Sequence, residues 1–240
     1  MSRAKSAPSQ HSGLDFYKEY PKTCDPEDFW GQVKRTVNGK PVTQDQIDMI
    51  VEAVSNGLNL SQKDVLLDLC CGNGALTTYF FKKCNGGLGV DFSEYLIRIA
   101  KNNFIKTKNE NFLLQDILKF VENHHDTERF TKAICYGSIQ YLDKRSVFKL
   151  LNYISDRFYN IKSFFIGNIP DKEHMMHFFE NTYEEGIEDS PASPIGVWWS
   201  KEEFAQLAKS AGWIPNFSKM QKKFYSSHYR YDVILIPYMR

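Results

Sequence analysis

The chain has 240 residues, 42% of them hydrophobic and 15% aromatic, enough to bury one substantial core and to predict one domain. A formal charge of +1 excludes the strongly basic balance of a nucleic-acid or anionic-membrane binder, which leaves small ligands as the default. No apolar run reaches the roughly 18 residues of a membrane span, no secretory signal pattern is present, and five scattered cysteines suit free thiols in a reducing cytoplasm better than disulfides.

Residues 1–13 are polar, carry Pro8 and lack periodicity, which predicts a disordered leader. Helices are expected over 25–35 and 44–56, within an N-terminal helical cap spanning 14–60. The second has Ile47, Ile50, Val51 and Val54 at helical spacing, with Thr43 and Gln46 as a capping box. Strands then alternate with helices: strands at 65–69, 88–91, 112–114, 133–136 and 163–167, helices near 75–84, 93–104, 117–123 and 146–159. Such alternation implies parallel strands joined by right-handed crossovers, a doubly wound α/β sheet with helices on both faces. Residues 169–197 break the rhythm with three prolines and no clean period, the pattern of a lid-like insert over 170–199. Ser200 opens a further helix with Glu203 at the capping-box position, and Ala211-Gly212 closes it. Strand-like runs at 213–220 and 229–237, with no helix between them, predict a terminal antiparallel hairpin, and 14–240 read as a single domain.

The most informative stretch is Val-Leu-Leu-Asp-Leu-Cys-Cys-Gly-Asn-Gly-Ala-Leu-Thr at 65–77. An apolar strand ends near an acid and breaks into a Gly-x-Gly turn before a helix, which aims free N–H groups at a ligand; Gly72 and Gly74 let the backbone bend and approach it. Asp91 ends the second strand and can accept hydrogen bonds from both hydroxyls of a ribose. Its alternative is a helix N-cap, a role Ser93 can also fill. The third glycine that a pyrophosphate requires is replaced by Ala75, so the ligand is expected to be a nucleoside without phosphates. Asp116, directly after the third strand, can accept from an adenine amine while Ile117 packs on the ring; the alternative is an ordinary turn Asp.

Asp-x-x-x-Gly-x-Gly at 68–74, Gly-Val-Asp-Phe-Ser at 89–93, Gln-Asp-Ile at 115–117 and Tyr-Gly-Ser-Ile-Gln-Tyr-Leu at 136–142 together resemble the successive motifs of the class I S-adenosylmethionine-dependent methyltransferases, of small-molecule type, over about residues 60–170. The resemblance implies a Rossmann-like, mostly parallel seven-stranded sheet whose last strand is antiparallel. It implies S-adenosyl-L-methionine as cofactor, with its methionine and ribose held by the backbone of Asp68, Leu69, Cys70, Cys71, Gly72, Asn73 and Gly74. By the same resemblance Asp91 holds the ribose, Phe92 touches the adenine, Asp116 and Ile117 fix the base, and Tyr136, Gly137 and Ser138 line the floor near the sulfonium. Cys70 and Cys71 stand where other small residues are common, a steric role, and no His or Cys pair stands at zinc-ligand spacing beside them. Methyltransferases of this kind commonly place a cap before the cradle. There Trp30 would cover the ligand and Arg35 or Lys34 would pair with its carboxylate, the alternative being a surface helix with one buried Trp.

Asn-Ile-Pro-Asp at 168–171 resembles the Asn-Pro-Pro-Tyr motif of base- and glutamine-directed enzymes but follows the fifth strand instead of the fourth, so that assignment is rejected. The histidines His174, His177 and His228 are the candidate catalytic bases for a hydroxyl nucleophile, each with a surface alternative, whereas His124 and His125 are expected in a solvated loop. Gln140, Tyr141, Trp198 and Trp199 are assigned to the acceptor, with core packing as the alternative for the two tryptophans. The expected activity is methyl transfer to an O or N atom of a small-molecule acceptor, with neither nucleic acid nor membrane as partner and homo-oligomerisation left open. The alternatives are a protein or RNA methyltransferase and a non-catalytic S-adenosylmethionine-binding sensor or assembly protein.

Overall fold

The structure is a computed structural model that describes residues 13–179, 183–193 and 195–238. Apart from Gly13, the expected leader lies outside the described residues. Helices run α1 Gly13–Glu19, α2 Phe29–Gln32, α3 Gln44–Leu58, α4 Thr77–Phe81, α5 Glu94–Asn103, α6 Ile117–Asn123, α7 Lys144–Arg157, α8 Met176–Phe179 and α9 Lys201–Ser210. The main sheet contains β1 Leu66–Leu69, β2 Gly87–Asp91, β3 Glu110–Leu114, β4 Lys132–Tyr136, β5 Ser163–Pro170, β6 Trp213–Ser218 and β7 Arg230–Pro237.

These seven strands lie in the order β3-β2-β1-β4-β5-β7-β6. The first five pair in parallel, and β7 is antiparallel to both β5 and β6, as the closing hairpin predicts. Alternate side chains feed two cores. Leu67, Leu69, Ala133, Cys135, Phe164 and Ile166 face one cluster with α6, α7 and α9 residues, while Leu66, Ile134, Tyr136 and Phe165 face the other with α3, α4 and α5 residues. With both faces covered, β1 is buried at every position, so it reads in sequence as one apolar run. The chain reverses order beside β1, between β2 and β4, and in such sheets the crevice at the carboxyl ends of the strands at that switch is where ligands sit.

Three local expectations are corrected. The helix expected over 25–35 contracts to the four residues of α2, capped by Asp28, whose carboxylate accepts from the Gly31 N–H at 2.8 Å. Beyond it Lys34 turns left-handed, and Thr36–Val37 pairs with Lys40–Pro41 around Asn38 (φ 51°) and Gly39 (φ 75°), a tight hairpin turn. The capping box expected of Thr43 and Gln46 is absent: the Thr43 hydroxyl donates to Asp45, and Gln46 Oε1 accepts from the Tyr225 N–H at 2.9 Å. His124 is half-buried and stacks on Phe120 at 4.4 Å, while His125 is exposed. The box on α9 forms as expected, with Ser200 and Glu203 exchanging both bonds at 3.1 Å. All five cysteines are free.

Candidate cofactor and acceptor site

The turn after β1 is built by three devices. Cys70 (φ 61°) and Gly72 (φ 58°) both adopt left-handed backbone, the second without the steric cost of a Cβ. The Asp91 carboxylate at the end of β2 accepts the Gly72 N–H at 3.0 Å through Oδ2 and the Ser93 N–H at 2.9 Å through Oδ1. Asn73 then clips the turn to the N-terminal segment: its Nδ2 donates to the Phe29 carbonyl at 2.7 Å and to Gln32 Oε1 at 2.9 Å. Gln32, fully buried, donates in turn to the carbonyls of Asp25 and Pro26. Every polar atom in this chain of contacts has a partner, so the wall carrying Val33 is held firmly against Gly72.

A cleft with about 1000 Å³ of space opens above this turn. Asp68, Cys70, Cys71, Gly72, Asn73, Asp91, Phe92, Asp116, Ile117, Tyr136, Gly137, Ser138 and Arg35 line it, all expected at the cofactor, together with Tyr141. Tyr17, Val33, Leu76, Leu96 and Leu142 also line it and escaped the sequence reading. The last three are apolar residues indistinguishable by pattern from core, and Tyr17 arrives from α1, over a hundred positions from its partner Tyr141. Asp116 caps α6, its Oδ1 accepting from the N–H groups of Leu118 and Lys119 at 3.0 Å, so the turn role and a place at the cleft coexist.

Three expected residues fall outside the cleft. Leu69 is fully buried in the sheet core. At Gly74 an added Cβ would come within 2.7 Å of the Phe112 ring, so this glycine serves the packing of the turn on the sheet. Trp30 lines a separate groove with Phe29, Tyr79 and Phe104.

Two carboxyls lie almost wholly buried at the cleft floor. Burial pushes Asp68 up to about 7, against the bond from Thr77 Oγ1 at 2.5 Å and the nearby Arg35 charge. Burial also raises Asp91 to about 6, against its backbone donors. Such groups favour a ligand that brings positive charge. Burial, first, and the neighbouring Tyr141 hydroxyl, 3.0 Å away, hold Tyr17 protonated well above the ordinary tyrosine range.

A second cleft, with about 1520 Å³ of space, shares Tyr17, Val33, Arg35, Gly137 and Tyr141 with the first. Phe16, Lys34, Thr36, Gln140, Asn168, Ala192, Ser193, Ile195, Tyr225, Tyr229 and Arg230 complete its lining. No carboxylate and no histidine lines it among the described residues. Trp198 and Trp199 are not part of it: both are buried, the first against Phe178, Phe179 and Tyr229, the second against Phe204. His228 is exposed beside Tyr229, and His174 pairs through Nδ1 with the buried Asp171 at 2.9 Å; neither lines a cleft. The side chain of His177 lies outside the described residues.

Fold and site together define a Rossmann-like nucleoside-binding protein, with an acid at the second strand's end and a cleft at the switch point. A methyltransferase-domain family model matches residues 66–157. A protein of Methanocaldococcus jannaschii named "Probable cobalt-precorrin-6B C(15)-methyltransferase (decarboxylating)" is 30% identical over 143 residues, 51% of this chain and 75% of the relative. An rRNA adenine N-6-methyltransferase of Lysinibacillus sphaericus is 24% identical over 99 residues, 41% of each chain. Magnesium protoporphyrin IX methyltransferase from Synechocystis PCC 6803, solved with bound SAH, shares the fold with a TM-score of 0.64 at 12% identity, over 93% of this chain and 97% of that one. The chain belongs to the class I S-adenosylmethionine-dependent methyltransferases, and S-adenosylmethionine is its cofactor. Among the described residues no helix is long and apolar enough to cross a membrane.

The cleft fits that cofactor. It combines buried carboxyls that form no ion pair among the described residues, suited to a cationic ligand, with a close-approach turn at Gly72 and apolar walls from Val33, Leu76 and Leu96.

Proposed function

We propose that the protein methylates an O or N atom of a small-molecule acceptor held in the second cleft. The observation that carries this reading is the continuity of the two clefts across Tyr17, Gly137 and Tyr141, with Phe16 and Tyr17 of α1, residues 33–36 and Ala192, Ser193 and Ile195 lining the second. In this reading residues 14–60 act as a cap and 170–199 as a lid beside a concave, partly open cleft, a shape suited to a small acceptor more than to a flat macromolecular surface.

When bound, the cofactor supplies a methyl group already activated on a sulfonium. The chain's work is alignment and exclusion of water. A carboxylate has about four accepting sites, so Asp91 keeps accepting capacity for the ribose beyond its backbone donors. Asp116 Oδ2, with Ile117 and Phe92, takes the adenine, and Arg35 together with the backbone of 70–73 takes the methionine part. Gly137 marks the floor where the two clefts meet. Tyr17 stays protonated at neutral pH, so the Tyr17–Tyr141 pair orients the nucleophile by hydrogen bonding and does not remove its proton. Among the described residues the lining of the second cleft holds no carboxylate or histidine to act as a base, which suits a nucleophile that loses its proton readily, a neutral amine or an acidic hydroxyl.

Incubation with methyl-labelled S-adenosylmethionine and separated small-molecule, RNA and protein fractions tests this. Label in the small-molecule fraction is expected. Label confined to RNA or protein would overturn the acceptor class, and cofactor binding with no label in any fraction would identify a sensor.

A further inference from the structure

Resting on the small-acceptor reading, we infer that the acceptor carries an oxyanion, a carboxylate or a phosphate, seated against Arg230 at the wall of the second cleft. Three cationic side chains, Lys34, Arg35 and Arg230, line this cleft, and no carboxylate does so among the described residues. Arg230 is the informative one. It is only 8% exposed, and its Nε–H has no acceptor. Its guanidinium donates through Nη1 to the Asn168 carbonyl and lies 5.1 Å from the Tyr229 ring, and no ion pair to it exists among the described residues.

A buried guanidinium without a counter-charge is costly, and proteins normally pair such a group or neutralise it. Arg cannot lose its proton at any ordinary pH. The nearest buried acid in sequence, Asp232, does not serve as a partner: it accepts the Asn168 N–H at 2.7 Å, and burial raises it to about 6 with no relief from Arg230. Arg230 is therefore held in place on one edge, by Asn168 and Tyr229, with donor capacity left over. A planar fork with spare N–H groups matches the two oxygens of a carboxylate or a phosphate, and each such charge-assisted bond is about twice as strong as a neutral one.

The cofactor's own carboxylate does not explain Arg230. Arg35 lines both clefts and is available for that group, whereas Arg230 lines only the second. The positive potential converges on the tyrosines at the junction. Burial dominates the upward shifts of Tyr17, Tyr136 and Tyr225, and Arg35 and Arg230 both oppose it at all three. An acceptor whose acid group is anchored at Arg230 would lay its body across Tyr225 and Tyr229, with its nucleophile toward Tyr17 and Tyr141. Gln140 is 2% exposed with an unpartnered Oε1, and offers an acceptor for a hydroxyl or amine of the same molecule.

The test titrates the SAH-loaded protein by calorimetry with 4-hydroxybenzoate, phenyl phosphate and the neutral 4-hydroxybenzamide. The expected result is that at least one of the two acids binds tenfold or more tightly than the amide, and that Arg230→Gln abolishes this preference. The better acid tells carboxylate from phosphate. SAH binding by the variant reports that it is folded; if it is not, the comparison of acids with amide on the native chain decides. Equal binding of all three probes, no binding by any, or an acid preference that survives in a folded Arg230→Gln variant overturns the inference. The acceptor-class reading is tested separately by which fraction takes label: methylation of neutral small molecules alone would sink the oxyanion and leave that reading standing.

Discussion

Asp91 Oδ2 accepts the Gly72 N–H at 3.0 Å across nineteen positions of sequence, while Oδ1 accepts the Ser93 N–H at 2.9 Å. One carboxylate thus ties the turn after β1 to the start of α5, and the same group is the proposed ribose ligand. In Asp91→Asn the side chain keeps one accepting oxygen and gains an amide that faces a backbone N–H. Hydrogen bonds to charged groups contribute about 1.5–3 kcal/mol, so SAH affinity should fall roughly 10- to 100-fold, read by calorimetry. An affinity unchanged within twofold would remove Asp91 from the site.

The two cleft carboxyls make the free protein's stability depend on pH in an unusual direction. Burial raises Asp68 from 3.8 to about 7 and Asp91 from 3.8 to about 6. Between the ordinary value and these raised values the folded chain binds more protons than the unfolded one, so stability falls as pH rises from about 4 to about 7. A positively charged ligand favours the ionised carboxyls, so S-adenosylmethionine should bind more tightly as pH rises through the same window and release protons on binding. Thermal melts from pH 5 to 8, with and without cofactor, and calorimetry in two buffers of different ionisation enthalpy check both signs. In Asp68→Asn the upper part of the free-protein trend should disappear.

The Asn73–Gln32 contact, 2.9 Å between Nδ2 and Oε1, joins the turn to the N-terminal wall inside the protein. Asn73→Ala leaves the fully buried Gln32 Oε1 and the Phe29 carbonyl without this donor. An unsatisfied buried group costs about 1–3 kcal/mol, which lowers Tm by roughly 2–4 °C per kcal/mol in a chain of this size. Because Val33 sits on the released wall, cofactor affinity should fall with stability. A variant that melts as the native chain does would show that the clip carries no strain-bearing role.

Much of this was legible in the sequence, and the parts that were not share a cause. The Gly-x-Gly turn and the acids Asp68, Asp91 and Asp116 are readable because strand periodicity locates them and their chemistry is local. The Ser200–Glu203 box is likewise a short-range exchange. The failures are long-range. Nothing in the neighbourhood of Gln46 says that its amide is claimed by Tyr225, 179 positions away, and nothing near Tyr17 says that it meets Tyr141. The Asn38-Gly39 turn is a local signal for the small hairpin after α2, but it lies beyond residue 35 and does not mark where the helix expected over 25–35 stops. Arg230 carried none, since an Arg that opens a terminal strand is an ordinary edge residue until its burial is known.

His228 is exposed on the turn before β7 and lines neither cleft, so His228→Ala should keep kcat/KM within twofold of the native chain. Tyr141→Phe removes the hydroxyl that meets Tyr17 at 3.0 Å where the clefts join. That change takes one hydrogen bond from the nucleophile's surroundings and leaves the Tyr17 hydroxyl without its partner. At about 1–3 kcal/mol for an unpaired buried hydroxyl, kcat/KM should fall on the order of 10- to 100-fold. If the pair positions the nucleophile, the loss should fall on turnover of the acceptor, and SAH affinity should change far less. Acceptor kinetics for the two variants, with SAH calorimetry beside them, separate the possibilities: a large loss in His228→Ala would make that imidazole a catalytic group, and a Tyr141→Phe defect confined to cofactor binding would remove the tyrosine pair from positioning the nucleophile.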